Sequence, residues 1–281
     1  MSYKKIKSYA KINLALNIIS KIKSLHRIES IVAFVDLYDV ILIKKIKSKK
    51  HIISFSGKFS KNIGLNNTVS QLFKILEKKK LLKNQKFEVK IKKKIPIKAG
   101  LGGGSMNAAN ILSYLIKKKF LKINKYEISE IAKSIGSDVI LGLESTNSIL
   151  NTKNEIKRFY GYKNFFTLIV KPNFGCSTKD IYSKVRKYDK PKFNRPNKKM
   201  FSFDYLKKMS NSLEPIALSK YNKLKKIKLF LENISTPAFV RMSGSGSALV
   251  AYFQSKERCD DAKKKFSRKY KNFWCIASKT I

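Results

Sequence analysis

Between residues 96 and 109 the chain reads PIKAGLGGGSMNAA, and four of its 12 glycines, Gly100, Gly102, Gly103 and Gly104, fall within five positions. Glycine tolerates left-handed backbone and puts no Cβ between an approaching ligand and the main-chain N–H groups. A helix starting directly behind such a run aims its unpaired amides and its positive end into the loop. That arrangement holds an anion, most often a phosphate. A strand-to-helix turn alone needs one or two glycines, so four of them followed by Ser105 point to phosphate binding.

Two elements must flank this loop. In KFEVKIK, Phe87, Val89 and Ile91 alternate with Glu88, Lys90 and Lys92, the period of a half-buried strand. Behind the loop, Ala108, Ile111, Leu112, Leu115 and Ile116 follow the spacing of an amphipathic helix that ends in Lys117, Lys118 and Lys119, with Ser105 or Asn107 as its cap. No Lys follows Gly104, which excludes a Walker A loop. A dinucleotide fingerprint counted from Gly100 would end on Ser105, and no acidic residue lies between Ser105 and Tyr126 to hold a ribose. The HRD and DFG motifs of protein kinases are absent.

The chain has 281 residues, enough for two domains, and its 18 Phe and 13 Tyr are spread along a globular composition. Its formal net charge is +44, but of 62 basic residues only 7 are Arg, the side chain that reads phosphates and bases in bidentate fashion. The lysine excess is either a compositional background or a means of attracting a polyanion, and it favours a small anionic substrate in both cases. Cys176, Cys259 and Cys275 form no CxxC pair, which fits a reducing cytoplasm. Asn13 and Asn17 interrupt the apolar stretch near the N-terminus, so no signal peptide is expected, and no run of 18 apolar residues predicts a membrane span.

The stretch from Pro96 to Ala109 resembles the P-x-x-x-G-L-G-[GS]-[GS]-S motif of the GHMP small-molecule kinases, and its triple glycine is similar to the branch that acts on a cytidine-diphosphate-linked alcohol. Further stretches on both sides of it match in the family's order. The resemblance implies that Pro96, Ile97, Lys98, Ala99, Gly100, Leu101, Gly102, Gly103, Gly104, Ser105 and Met106 hold ATP, with Asn67 as an adenine contact and Ser105 as a candidate ligand of Mg²⁺. Met106 stands where relatives carry a second serine, so one hydroxyl is lost.

In AKINLAL, alternation puts Lys11 and Asn13 on one strand face. A solvated lysine would read the same way; the resemblance implies that Lys11 is catalytic and that Asn13 touches substrate. His26, in KSLHRIES, stands where the family places a histidine against cytosine, while Ser24 and Leu25 depart from its DGYH pattern. Leu25 packs against a base without offering an aromatic face.

The segment EISEIAKSIGSDVI reads as a helix through Ile128, Ile131, Ala132 and Ile135 that stops at Gly136. Asp138 then enters an apolar run, where a carboxylate needs a partner, a turn to close or a function. The resemblance implies that it is the catalytic base, with Ile140 in place of the family's proline. TLIVKPNFGCSTKDIY reads as strand, loop and helix, and Thr178 and Tyr182 share a helix face. Tyr182 is either a partly buried tyrosine or, as the resemblance implies, the aromatic facing the cytosine, with Thr178 also on the substrate. Glu214, in NSLEPI, is read as structural. A second glycine loop, from Arg241 to Phe253, resembles the family's third motif and is expected to wall the site rather than merely to turn a hairpin.

The fold implied is α+β in two domains: an ATP-binding one over 1–155, similar to the second domain of ribosomal protein S5, and a ferredoxin-like, substrate-binding one over 156–281. RKYDKPKFNRPNKK is expected to be an exposed charged loop. The activity implied is ATP-dependent phosphorylation of an alcohol on a small cytidine diphosphate substrate by a cytoplasmic monomer or weak homodimer, with no membrane and no specific nucleic acid as partner. The alternatives are a homoserine or mevalonate type of kinase, or a basic RNA-binding protein on a degenerate kinase scaffold.

Overall fold

The computed structural model describes residues 2–23, 25–161 and 165–281, so the departure at Ser24 lies outside the described residues. The chain forms two compact units whose segments interleave in sequence. The first takes Met1–Lys11, Leu37–Ile97 and Gly102–Ser145, and the second Ile12–Asp36, Lys98–Leu101 and Thr146–Ile281. Two long strands, β1 (Lys4–Ile22) and β2 (Leu25–Ile46), pair with each other and supply residues to both units.

In the first unit β3 (Ile52–Ser56) runs parallel to β4 (Lys86–Lys92), and β4 pairs antiparallel with β2 from Val40↔Lys92 to Ile46↔Lys86. Phe87, Val89 and Ile91 point into the core, as their alternation predicts. They pack with Ile41 and Ile43 and with the apolar stripes of α1 (Thr68–Lys78), α2 (Gly103–Lys117) and α3 (Lys125–Ile135). Each buried stripe follows helical spacing: Leu72, Phe73 and Leu76; Ile111, Leu112 and Leu115; Ile131 and Ala132. The start of α2 corrects the sequence expectation. The helix begins at Gly103 behind a left-handed Gly102, with no side chain capping it, and Ser105 and Asn107 are inside it. Asn107 does not cap because its amide is drawn inward to a buried carboxylate, Asp39.

Lysines accumulate where water reaches them. Lys7 and Lys94 lie 4.7 and 5.2 Å from the centre of the Tyr38 ring, and Lys44 and Lys90 flank Glu88 at 3.1 and 3.2 Å. Hydrogen bonds from Tyr3 and Lys44 hold the Glu88 carboxyl down at about 2.

The second unit pairs Ser30–Val32 of β2 with β5 (Asn147–Leu150), and β5 with β6 (Ile156–Phe159). Its other sheet contains β7 (Phe166–Lys171), β8 (Phe239–Met242), β9 (Leu249–Phe253) and β10 (Trp274–Lys279) in the order β10-β7-β9-β8, antiparallel throughout. Between β7 and β8 come α4 (Thr178–Ser183), α5 (Phe203–Lys207), α6 (Glu214–Lys220) and α7 (Asn222–Glu232); α8 (Lys256–Lys269) joins β9 to β10. That strand order, with helices in both crossovers, is ferredoxin-like. Its core joins Leu168, Val170, Leu249 and Ala251 to Leu224, Ile227, Ala262 and Phe266.

The charged segment around residue 190 is a coil, as expected, but it is tethered rather than loose. Fully buried Glu29 accepts hydrogen bonds from the Lys192 and Phe193 amides and from the Asn17 side chain, Asp189 bonds the backbone of Ile18, and Phe193 is fully buried.

One contact in the first unit makes its stability depend on pH. His51 Nδ1 accepts the Phe87 N–H at 3.0 Å while Nε2 lies 3.2 Å from Glu77, and its ring sits 4.3 Å from that of Phe73. Burial pushes the imidazole below its usual 6.5, against the opposing pull of Glu77. The folded state therefore binds the proton less readily than the unfolded chain. The neutral-histidine contribution is complete above pH 6.5 and is lost as pH falls from 6.5 towards the lower folded value. Thermal unfolding at pH 7.5, 6.5 and 5.5 should show the melting temperature falling with pH, and His51→Gln should flatten that slope. A slope unchanged in the variant would remove His51 as its source.

Candidate active site

The glycine run belongs to both units along the chain, residues 98–101 to the second and 102 onward to the first. Lys98, Gly100 and Gly102 alternate in left-handed backbone, with φ of 52°, 74° and 69°. From Gly102 the chain enters α2, whose first intrahelical bond runs from Met106 N–H to Gly102 O at 2.8 Å. The N–H groups of Gly103, Gly104 and Ser105 consequently have no acceptor within the helix, and they point beyond its positive end.

In the first unit Lys11 extends across this point. A Cβ on Gly102 would fall 2.8 Å from Lys11 Cγ, so glycine there is what lets the lysine pass. Its ammonium pairs with Asp138 at 3.1 Å; the lysine side chain is 4 % exposed and the carboxylate 34 %. A buried cation with a water-accessible carboxylate differs from a solvated surface pair, and the two residues stand 127 positions apart in sequence. Asp138 lies in the turn after α3, which ends at Gly136 as the sequence predicts. Ile140 has φ −64° and ψ −30°, the φ that a proline ring imposes, so the missing proline leaves this backbone shape intact.

The remaining loop residues divide by environment. Pro96, Ala99 and Leu101 are buried, Ile97 is half-buried and Lys98 is exposed. The Ser105 hydroxyl lies against Gly136, at 3.9 Å from where a Cβ would be. Met106 is fully buried, and a Cβ on Gly142 would meet its sulfur at 2.7 Å. With its N–H committed to Gly102, Met106 is placed in the packing of α2 and not at the mouth of the loop. Asn67 caps α1: Oδ1 accepts from the Val69 and Ser70 amides at 3.1 Å each, and Nδ2 donates to Gly64 O at 2.9 Å. Its amide oxygen is thus engaged by the helix end and its nitrogen by the loop before it.

In the second unit the two glycine loops meet backbone to backbone. A Cβ on Gly100 would lie 2.0 Å from Ser243 O, and one on Gly246 would lie 2.0 Å from Gly100 N. Ser243 Oγ donates to Gly100 O at 2.9 Å and accepts the Asn13 N–H at 3.3 Å. Asn211 Nδ2 donates to the carbonyls of Met242 and Gly244, at 2.8 Å each. The second loop is thus the connection between β8 and β9 and also a wall against the first. Asn13 Nδ2 donates to Ser30 Oγ at 2.8 Å. Glu214 accepts the Met242 N–H and lies 3.5 Å from Lys228, with burial raising its pKa, which is a structural placement.

His26 and Tyr182, 156 residues apart in sequence, come together with ring centres 5.1 Å apart, inclined at 43°. Partial burial and the charge of Lys21 lower the His26 pKa, which favours the neutral imidazole. Thr178 shares α4 with Tyr182, and its hydroxyl is 2.8 Å from Ser245 Oγ. Leu25, beside His26, is 75 % exposed.

Sequence reasoning missed a buried cluster beneath the loop. Asp39, with no exposure, accepts from the Lys94 and Ile95 amides at 2.7 and 2.9 Å and from Asn107 Nδ2 at 3.0 Å, and it pairs with the Lys93 ammonium. The available signal was a carboxylate inside the apolar strand VAFVDLYDVILI, the same signal that drew attention to Asp138.

Residues 67–150 match the family model for the GHMP kinases N terminal domain. A 4-diphosphocytidyl-2-C-methyl-D-erythritol kinase of Pelagibacter ubique is 54 % identical over 277 residues, covering 99 % of this chain and 99 % of the relative. The chain belongs to the 4-diphosphocytidyl-2-C-methyl-D-erythritol kinase family. Another member, from Clostridium perfringens, is 32 % identical across 99 % of this chain and 98 % of its own. Among solved structures, a 4-(cytidine 5'-diphospho)-2C-methyl-D-erythritol kinase superposes with a TM-score of 0.79 at 21 % identity, covering 99 % of this chain and 100 % of that one. A homoserine kinase from Cytophaga hutchinsonii gives 0.70 at 15 % identity, covering 100 % of this chain and 95 % of that one. At those identities the structures speak for the GHMP kinase fold, which the two-sheet α+β architecture shares.

The contact between the loops makes a direct prediction. Gly246→Ala must displace the Ala99–Gly100 backbone, and it is expected to cost about 2 kcal/mol or more, as overpacking does. Gly64→Ala, where a Cβ would meet nothing within 4 Å, should be close to neutral. Thermal unfolding of the two variants checks this; equal melting temperatures would mean that the loops do not pack as described.

Proposed function

We propose that the protein transfers the γ-phosphoryl group of ATP to the 2-hydroxyl of 4-diphosphocytidyl-2-C-methyl-D-erythritol, in the non-mevalonate route to isoprenoid precursors. The name and length coverage of its relatives support the substrate. The Lys11–Asp138 pair laid over Gly102 supports the chemistry. In this reading the free amides of Gly103, Gly104 and Ser105 hold the phosphates at the helix terminus. Asp138 orients the acceptor hydroxyl and takes its proton. Lys11 holds that carboxylate in place and offsets the charge that develops on the transferred group.

Among the described residues no cluster of three His, Cys, Asp or Glu forms a ready metal site. In this reading Mg²⁺ is carried chiefly by the phosphates, with the Ser105 hydroxyl and the Asp138 carboxylate as oxygen donors. When bound, the ion would supply charge neutralisation for the triphosphate.

The tilted His26–Tyr182 pair and Thr178 would receive the cytidine, with Asn13 as a further contact. A neutral imidazole beside a phenol ring presents both a hydrogen-bonding edge and a stacking face to a base. No helix of the described residues is long and apolar enough to cross a membrane. A cytoplasmic location is part of this reading.

ATP consumption should be measured with Mg²⁺ and the cytidine substrate, with homoserine and mevalonate as comparison acceptors. Turnover confined to the cytidine substrate is expected; preference for another acceptor would overturn the substrate assignment. Asp138→Asn and Lys11→Met should each lower kcat by about 100-fold or more while changing ATP affinity little. His26→Ala and Tyr182→Ala should instead raise the KM for the cytidine substrate by about tenfold. A few-fold loss in Asp138→Asn would remove that residue as the base.

A further inference from the structure

We infer that Asp39 is a positioning residue for the nucleotide, closing both ends of the glycine loop and so setting its aperture for the triphosphate. The inference rests on the reading that this loop holds the phosphates of ATP. On the upstream side Asp39 Oδ1 accepts the amides of Lys94 and Ile95, the last two residues before Pro96. On the downstream side Oδ2 accepts from Asn107, one turn inside α2, and pairs with the Lys93 ammonium. The segment from Pro96 to Met106 is therefore closed at its base by a single carboxylate.

Ile95 also packs directly on the first residue of the helix: a Cβ on Gly103 would fall 3.0 Å from its Cγ2 and 3.3 Å from Lys93 Nζ. A buried ammonium beside a helix N-terminus opposes the helix dipole, and Asp39 offsets that charge while fixing the distance between the two chain segments. Apolar residues would fill the same space without the desolvation penalty of an ion pair. What an ion pair with three further hydrogen bonds adds is direction, since each donor must lie at a set distance and angle from the carboxylate. Gly103, Gly104 and Ser105 are carried on the first turn of α2, so a shift of that turn moves all three phosphate-facing amides together.

Two variants test this without leaving a new net charge in the core. Asn107→Ala cuts the downstream tether alone. Asp39→Asn combined with Lys93→Met removes the ion pair and leaves an oxygen for the Lys94 and Ile95 amides, which keeps the test open if the first variant folds poorly. Both are expected to raise the KM for ATP by about tenfold, the scale of a sub-ångström misplacement, with kcat at saturating ATP and the KM for the cytidine substrate within about twofold of wild type. A merely structural role would lower the melting temperature and leave the KM for ATP alone, or would impair both substrates equally; either result overturns the inference. Isothermal titration of the wild type with a non-hydrolysable ATP analogue and Mg²⁺ separates the two levels. A wild type that fails to bind the analogue sinks the reading of the loop and this inference with it, whereas a binding wild type with unaffected variants sinks the inference only.

Discussion

A carboxylate with no access to water, in a strand rich in valine, leucine and isoleucine, is the constraint on which the two first-unit ends of the glycine run depend. An ionised Asp39 there is tolerable only because four donors surround it, and removing one partner of such a pair typically costs about 3–5 kcal/mol. Those donors come from the three residues that follow β4 and from α2. The strand-to-helix connection is thus held at its two ends by polar bonds, while its middle is left to glycine.

In the second unit the constraint is distance between main chains. Gly100 and Gly246 approach so closely that neither position has room for a Cβ, and Ser243 and Asn211 satisfy the carbonyls and amides brought together there. Glycine therefore serves two different ends within a few residues. At Gly100 and Gly246 it permits packing, and at Gly102 it permits a left-handed turn under the Lys11 stem.

The departures from the family pattern have local explanations in the same terms. Met106 replaces a hydroxyl with a side chain that fills the space beside Gly142, and Ile140 keeps the φ that a proline would enforce. Leu25 is different: it is exposed, and the aromatic ring that meets the neighbouring His26 is Tyr182, on another element.

Period and composition were enough to determine β4, the apolar stripes of α2 and α3, the stop at Gly136 and a glycine-rich turn between strand and helix, because each depends on neighbours within a few residues. Motif resemblance added the family and the candidate residues. The start of α2, expected behind a cap at Ser105 or Asn107, lies three or five residues earlier, behind Gly102, and the Asn107 amide is instead taken by Asp39, 68 positions before it in sequence. Likewise no local pattern distinguishes Lys11 from the other lysines, or tells that His26 meets Tyr182, that Glu29 tethers the charged segment near residue 190, or that Asn67 is engaged at a helix end. Side-chain hydrogen bonds and ion pairs over such separations depend on the route of the chain through space. Periodicity encodes which face of an element is apolar, and tertiary folding alone decides which polar groups that burial brings within reach of one another.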